Sequence, residues 1–179
     1  TSALVEKEKP DAVILAIGGS FVTPDVPGIN RDNVFSSKDM LAMMRGESLN
    51  KGILFRAMAP FAKHVVTPSV VRRLLSSDFP IKKSVAIIGG QFPGCSTALL
   101  LAEKGKQVTI IEESDLLGRD MEANTMAVLK AEIKAGNVKV LTSTRVSEIN
   151  DAGVVAIDAK GDKTVHETET VIVALDLAP

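Results

Sequence analysis

Apolar positions along this chain fall into short dense runs that alternate with amphipathic stretches. Residues 11–19 (DAVILAIGG) form the first run: β-branched, free of internal polar residues, and closed by two glycines. That pattern predicts a strand buried on both faces, as in a parallel sheet. Residues 20–34 are turn-rich, with Pro24, Pro27 and Gly28. Ser36 then predicts the cap of a short helix over 38–45, with Asp39 at its positive end and Gly46 as its stop. Residues 47–83 carry apolar positions at loosely helical spacing, interrupted by Pro60, Pro68 and Pro80, and read as two short amphipathic helices. Their apolar content excludes a plain flexible linker and leaves a packed insertion or a docking surface.

From residue 82 the periods become regular. Residues 84–88 (SVAII) predict a buried strand, 89–94 (GGQFPG) a tight turn, and 95–104 a helix closed by Gly105. A second strand follows over 107–112, a helix over 121–135 with a Gly136-Asn137 stop, and a third strand over 138–141. Residues 145–150, 153–159 and 163–168 alternate and predict a small antiparallel meander. Residues 169–175 return to the buried-strand pattern, and their resemblance to 11–19 suggests two related units. The expected fold class is α/β, a doubly wound parallel sheet with a three-stranded antiparallel meander.

Composition narrows the chemistry. Among 179 residues, 45% are hydrophobic and 24% charged, which describes a globular chain of one domain, or one and part of another. Lys and Arg number 21 against 22 Asp and Glu, so no basic excess points to nucleic acid. Cys95 is the single cysteine, which excludes an intrachain disulfide, a CxxC redox pair and a cysteine-rich metal site. His64 and His166 lack ligand spacing, so no metal site is expected. No apolar run is long enough to span a membrane, and the first residues do not resemble a signal peptide. The expectation is a soluble, cytoplasmic protein with no membrane or nucleic-acid partner.

The chemistry-bearing stretch is 84–113. Binding a dinucleotide in a βαβ unit takes a glycine turn that lets backbone approach the pyrophosphate, and a helix N-terminus with unsatisfied N–H groups. It also takes an acidic residue after the second strand to accept from the adenosine ribose. Gly89 suits the tight turn, Gly94 the close helix–strand packing, and Glu112, with Glu113 beside it, the ribose. The middle glycine of GxGxxG is replaced by Gln91, which either swings out and donates its amide or fills the site. Pro93 removes one further N–H. Gly89, Gly90, Gln91, Phe92 and Gly94 are therefore expected at the pyrophosphate. The carboxylates favour NADH over NADPH, with Arg119 the one nearby cation able to reverse that. No catalytic side chain is identified.

DAVILAIGG with PGI, then VAIIGGQFPGCSTALLLAEKGKQVTIIEES, then ETVIVALDLAP, together resemble the pyridine-nucleotide part of flavoproteins with two dinucleotide-binding domains. The chain is similar to the C-terminal half of multidomain NADH:flavin oxidoreductases of the 2-enoate and 2,4-dienoyl-CoA reductase type, which carry an Old-yellow-enzyme-like barrel. The resemblance implies a Rossmann-like NAD(P)H domain over 84–175, inserted in an FAD-type domain. Residues 1–34 would be that domain's closing segment, 35–83 a helical insertion or connection, and 176–179 the crossover back. It also implies that FAD, FMN and an iron–sulfur cluster belong to the parent enzyme, and that the partners are the missing FAD-binding and barrel domains. Asp176 stands where the family has glycine. With Gln91, it favours a second reading, in which a degenerate fold serves as a docking module without productive NADH use.

Overall fold

The computed structural model describes residues 2–14, 18–45, 70, 73, 76–119, 121–175 and 177–178. Its centre is a parallel sheet of order β2-β9-β3-β4-β5, built from Val34–Ser36 (β2), Thr170–Val173 (β9), Ser84–Ile88 (β3), Gln107–Ile111 (β4) and Lys139–Leu141 (β5). Strand alternation divides the sheet's side chains between two cores. Val85, Ile87, Val108, Ile110 and Ile172 pack under helices, whereas Ala86, Ile88, Ile111, Val171 and Val173 pack against the other layer.

The helical layer contains α2 (Ser37–Met44), α3 (Phe92–Glu103) and α4 (Ala123–Ala135). α3 buries Gly94, Cys95, Ala98 and Leu101, and α4 buries Met126, Leu129 and Ile133. Both sets follow the one-face spacing of an amphipathic helix. The opposite layer is an antiparallel meander of β6 (Arg145–Asn150), β7 (Gly153–Ile157) and β8 (Lys163–Glu167). Its Val146, Ile149, Val154 and Ala156 complete the second core. Each strand of the meander agrees with expectation to within two residues. The α/β fold, a Rossmann-like parallel sheet with a three-stranded meander, is therefore observed.

The described part of 11–19 departs from the predicted buried strand. Residues 12–14 form no strand, and Val13 and Ile14 are 51% and 92% exposed. A strand buried on both faces needs a paired edge and two covering layers; here neither is present for these residues. The strand instead follows at the end of the turn-rich segment, where β2 pairs in parallel with β9. Ser20–Phe21 (β1) pairs antiparallel with Leu177–Ala178 (β10), so the two outer segments meet. A short exposed helix, Ser2–Glu8 (α1), precedes them. α3 begins at Phe92, ahead of the expected 95, because Pro93 suits the first turn. Most of 47–83, including the first expected helix, lies outside the described residues; within the second, residues 70, 73 and 76 are helical.

Candidate nucleotide-binding site

The sheet's strands all run parallel, so their C-terminal ends share one edge. β3 is flanked there by β4 on one side and β9 on the other; the helix that leads from β3 to β4 covers one face of the sheet, and the meander that leads to β9 covers the other. Such a switch point opens a crevice. In this structure a cleft of about 440 Å³ lies at that edge, bordered by Gly89, Gln91, Glu112, Glu113, Arg145 and Leu175 among others. That volume lies within the roughly 300–1,000 Å³ typical of small-molecule sites.

The glycine turn is fixed from below. Gly89 adopts φ +105°, a conformation that disfavours any side chain, and its N–H donates to Ile111 O at 2.9 Å. A Cβ on Gly94 would stand 1.9 Å from the Gly89 carbonyl oxygen, so only glycine lets α3 sit this close to the turn. Cys95 Sγ donates to Gly90 O at 3.2 Å from a fully buried position, which makes it a packing residue beneath the turn. Gln91 occupies the N-cap position with an extended backbone, and its side chain forms no capping bond to the helix. It is partly buried and forms part of the cleft wall. An α-helix leaves its first-turn amides without intrahelical acceptors, and Pro93 carries none, so Phe92 and Gly94 supply the N–H groups there. The Phe92 ring is 51% exposed.

Glu112 follows β4 directly and is 7% exposed. Its backbone is held on both sides: its N–H donates to Leu141 O at 2.8 Å and its carbonyl accepts from Thr144 N at 3.0 Å. The carboxylate turns towards the glycine turn and accepts from Gly90 N at 2.5 Å through Oε2 and from Ser114 N at 2.8 Å through Oε1. Each carboxylate oxygen accepts more than one hydrogen bond, so capacity for a ribose hydroxyl remains. The Gly90 N–H, in contrast, is committed to Glu112.

The structure brings Gly89, Gln91, Glu112 and Glu113 to the cleft. Gly90, Phe92 and Gly94 are not among its borders; Gly90 and Gly94 shape the turn behind it. Sequence reasoning missed Pro24, Asp25, Thr144, Arg145 and Ser147. They arrive from the segment before β2 and from the start of the meander, and no spacing within 84–113 signals them. Arg119 does not border the cleft, and its guanidinium pairs with Asp115 at 2.6 Å on the exposed loop. That hydrogen bond and charge hold the Asp115 carboxyl below the usual carboxylate range. Arg145 borders the cleft instead. Among the described residues no group of His, Cys, Asp and Glu has metal-binding geometry. No helix among them is long and apolar enough to cross a membrane.

A parallel sheet with a glycine turn at its switch point and an acid beyond the next strand defines the class of nucleotide-binding α/β proteins. The profile of the pyridine nucleotide-disulphide oxidoreductase family matches residues 3–176, and the chain belongs to that family. Membership implies use of a nicotinamide nucleotide together with FAD. An NADH oxidase from Thermoanaerobacter brockii is 29% identical over 170 residues, which is 95% of this chain and 22% of that protein. A cinnamate reductase from Clostridium sporogenes is 29% identical over 169 residues, 92% of this chain and 20% of that protein. Among solved structures, a 2-naphthoyl-CoA reductase complex superposes with a TM-score of 0.62 at 23% identity, over 97% of this chain and 21% of that one. At that identity the likeness is one of fold. The chain spans about a fifth of the length of these proteins.

Proposed function

We propose that this chain is the NADH-holding part of a larger flavin-dependent reductase, of the multidomain kind that 2-enoate and 2,4-dienoyl-CoA reductases represent. Residues 84–175 form the NAD(P)H unit, and 1–34 and 176–179 belong to an adjoining FAD-type unit. Residues 35–83 connect them, and the FAD-binding and barrel domains of the parent are the partners. The relatives' greater lengths and their names, an NADH oxidase and a cinnamate reductase, support this reading. The observation that carries it is the Glu112 carboxylate aimed back at the glycine turn on the wall of an open cleft.

When bound, NADH supplies the hydride. This chain contributes orientation and electrostatics. The N-terminal end of α3, reached through Gln91 on the cleft wall, turns its positive dipole end to the pyrophosphate, and Glu112 accepts from the adenosine ribose. FAD, FMN and an iron–sulfur cluster would be held by the other domains; the single cysteine here is buried.

Gln91, which lines the cleft where the turn's middle glycine would otherwise stand, favours a second reading, a docking module that keeps the fold without productive NADH use. Calorimetric titration with NADH and NADPH separates the two. The first reading expects NADH to bind more tightly than NADPH. It also expects Gln91→Gly to tighten NADH by roughly 5- to 150-fold, the equivalent of about 1–3 kcal/mol. Binding absent in the wild type and restored by Gln91→Gly favours the docking module. NADH binding indifferent to Glu112→Gln removes the site altogether.

A further inference from the structure

Arg145 opens β6 on the antiparallel layer, yet it borders two cavities of the parallel sheet's C-terminal edge. One is the nucleotide cleft, shared with Glu112, Glu113 and Ser147. The other, of about 520 Å³, is shared with Glu113, Ser143, Asp158 and Lys160. Glu113 and Arg145 line both, so these two residues stand where the cavities adjoin. Three other cations are committed: Arg119 to Asp115, Lys106 to Asp78 and Arg31 to Asp151. Among the described residues neither Arg145 nor Glu113 joins an ion pair.

We infer that Arg145 sets the choice between NADH and NADPH, by receiving the ribose 2′-phosphate of NADPH where the cavities adjoin while Glu113 opposes it. The inference rests on the reading that Glu112 takes the adenosine ribose. Glu113 and Arg145 line the same cleft as Glu112, so a group carried on a ribose held there meets one negative and one positive side chain. The charge of Glu112 is offset in part by the two backbone amides it accepts from, so it repels a phosphate less than a bare carboxylate would. Glu113 has no such donors among the described residues and is the stronger repulsive element. A guanidinium fork matches phosphate oxygens two at a time, and its attraction is concentrated at close range. Lys160, bordering the second cavity, adds positive potential behind it. NADH, lacking the phosphate, gains nothing from Arg145.

Dissociation constants of NADH and NADPH for the 179-residue chain test this in wild type, Arg145→Ala, Arg145→Lys and Glu113→Gln. Arg145→Ala is expected to weaken NADPH by about tenfold or more, the loss of one charge-assisted contact, and to change NADH by less than about twofold. Arg145→Lys should recover part of the loss, and Glu113→Gln should move the ratio towards NADPH. Arg145 is exposed, so the melting temperature of its variants should match wild type, and a matching value separates ligand effects from misfolding. An unchanged NADPH/NADH ratio in Arg145→Ala overturns the inference and leaves the NADH reading standing. So does a wild type that binds NADH and not NADPH. A wild type that binds neither nucleotide removes both.

Discussion

Two residues show how tightly the turn is specified. Glu112 looks from sequence like a ribose acceptor, but its position also makes it a strut. Its carboxylate ties Gly90 to Ser114, so the same group shapes the site and holds the loop after β4. Glu112→Gln puts an NH₂ against one of two amide donors. The expected cost is about 1–3 kcal/mol in urea unfolding, with weakened NADH binding in the same protein. Gly94 is the sharper steric case. Gly94→Ala drives a methyl into the Gly89 carbonyl, a backbone atom that cannot move aside, and should exceed the ~1–3 kcal/mol typical of overpacking. Gly105→Ala meets no atom within 4 Å and suffers only from its φ of +79°, about 1–2 kcal/mol. A Gly94→Ala protein as stable as Gly105→Ala would contradict this packing. The role of Gly94 was legible because close helix–strand packing is a rule of the turn. The Glu112–Gly90 bond was not, because side-chain direction has no signature in spacing.

Elements were legible wherever local signals agreed with tertiary environment. The Ser36 cap is one: its Oγ accepts from Asp39 N at 3.2 Å, while the Asp39 carboxylate accepts from Ser36 N at 2.7 Å. β3, β4 and the meander carry their period in the sequence. β2 is three residues long and earns its place only by pairing with β9, which lies over a hundred residues away, so no local pattern marks it. Lys106 is another tertiary feature. Its ammonium is buried and donates to Ser77 O at 2.5 Å, Asp78 Oδ1 at 3.0 Å and Ile81 O at 3.0 Å, tying the segment before β3 to the start of β4. Lys106→Met should destabilise by about 1–2 kcal/mol, because the buried Ile81 carbonyl loses a charged donor while the exposed Ser77 and Asp78 turn to water. A change under about 0.5 kcal/mol on chemical unfolding would mean the tie contributes nothing. On β8, burial and then the nearby Lys139 push the His166 imidazole below its ordinary 6.5. The unfolded chain therefore takes up this proton first as pH falls. Stability should be full above about 6.5 and decline below it. His166→Gln should flatten that slope in pH-dependent melting.

At the scale of the whole molecule, the described residues divide into a layered core and a segment that shares none of it. α1 buries no residue, and Val13 and Ile14 stand in solvent although their composition is that of a core strand. Local pattern and surroundings conflict here, and such conflicts mark a place where the sequence is suited to neighbours other than those present. Under the proposed function those neighbours are the strands of an FAD-type unit. The energetic consequence can be tested without them. Ile14 is 92% exposed, so Ile14→Lys removes no burial and should alter unfolding stability by less than about 0.5 kcal/mol. It should also reduce self-association in sedimentation, because an exposed apolar run invites non-specific contact. Ile172 has the same side chain in a similar run, but is 1% exposed on the central sheet. Ile172→Lys places a charge in the core under the helices and should abolish cooperative folding. If Ile14→Lys cost as much as a core substitution, the exposed run would instead be part of the folded core. The proposal that it awaits a second domain would then fall.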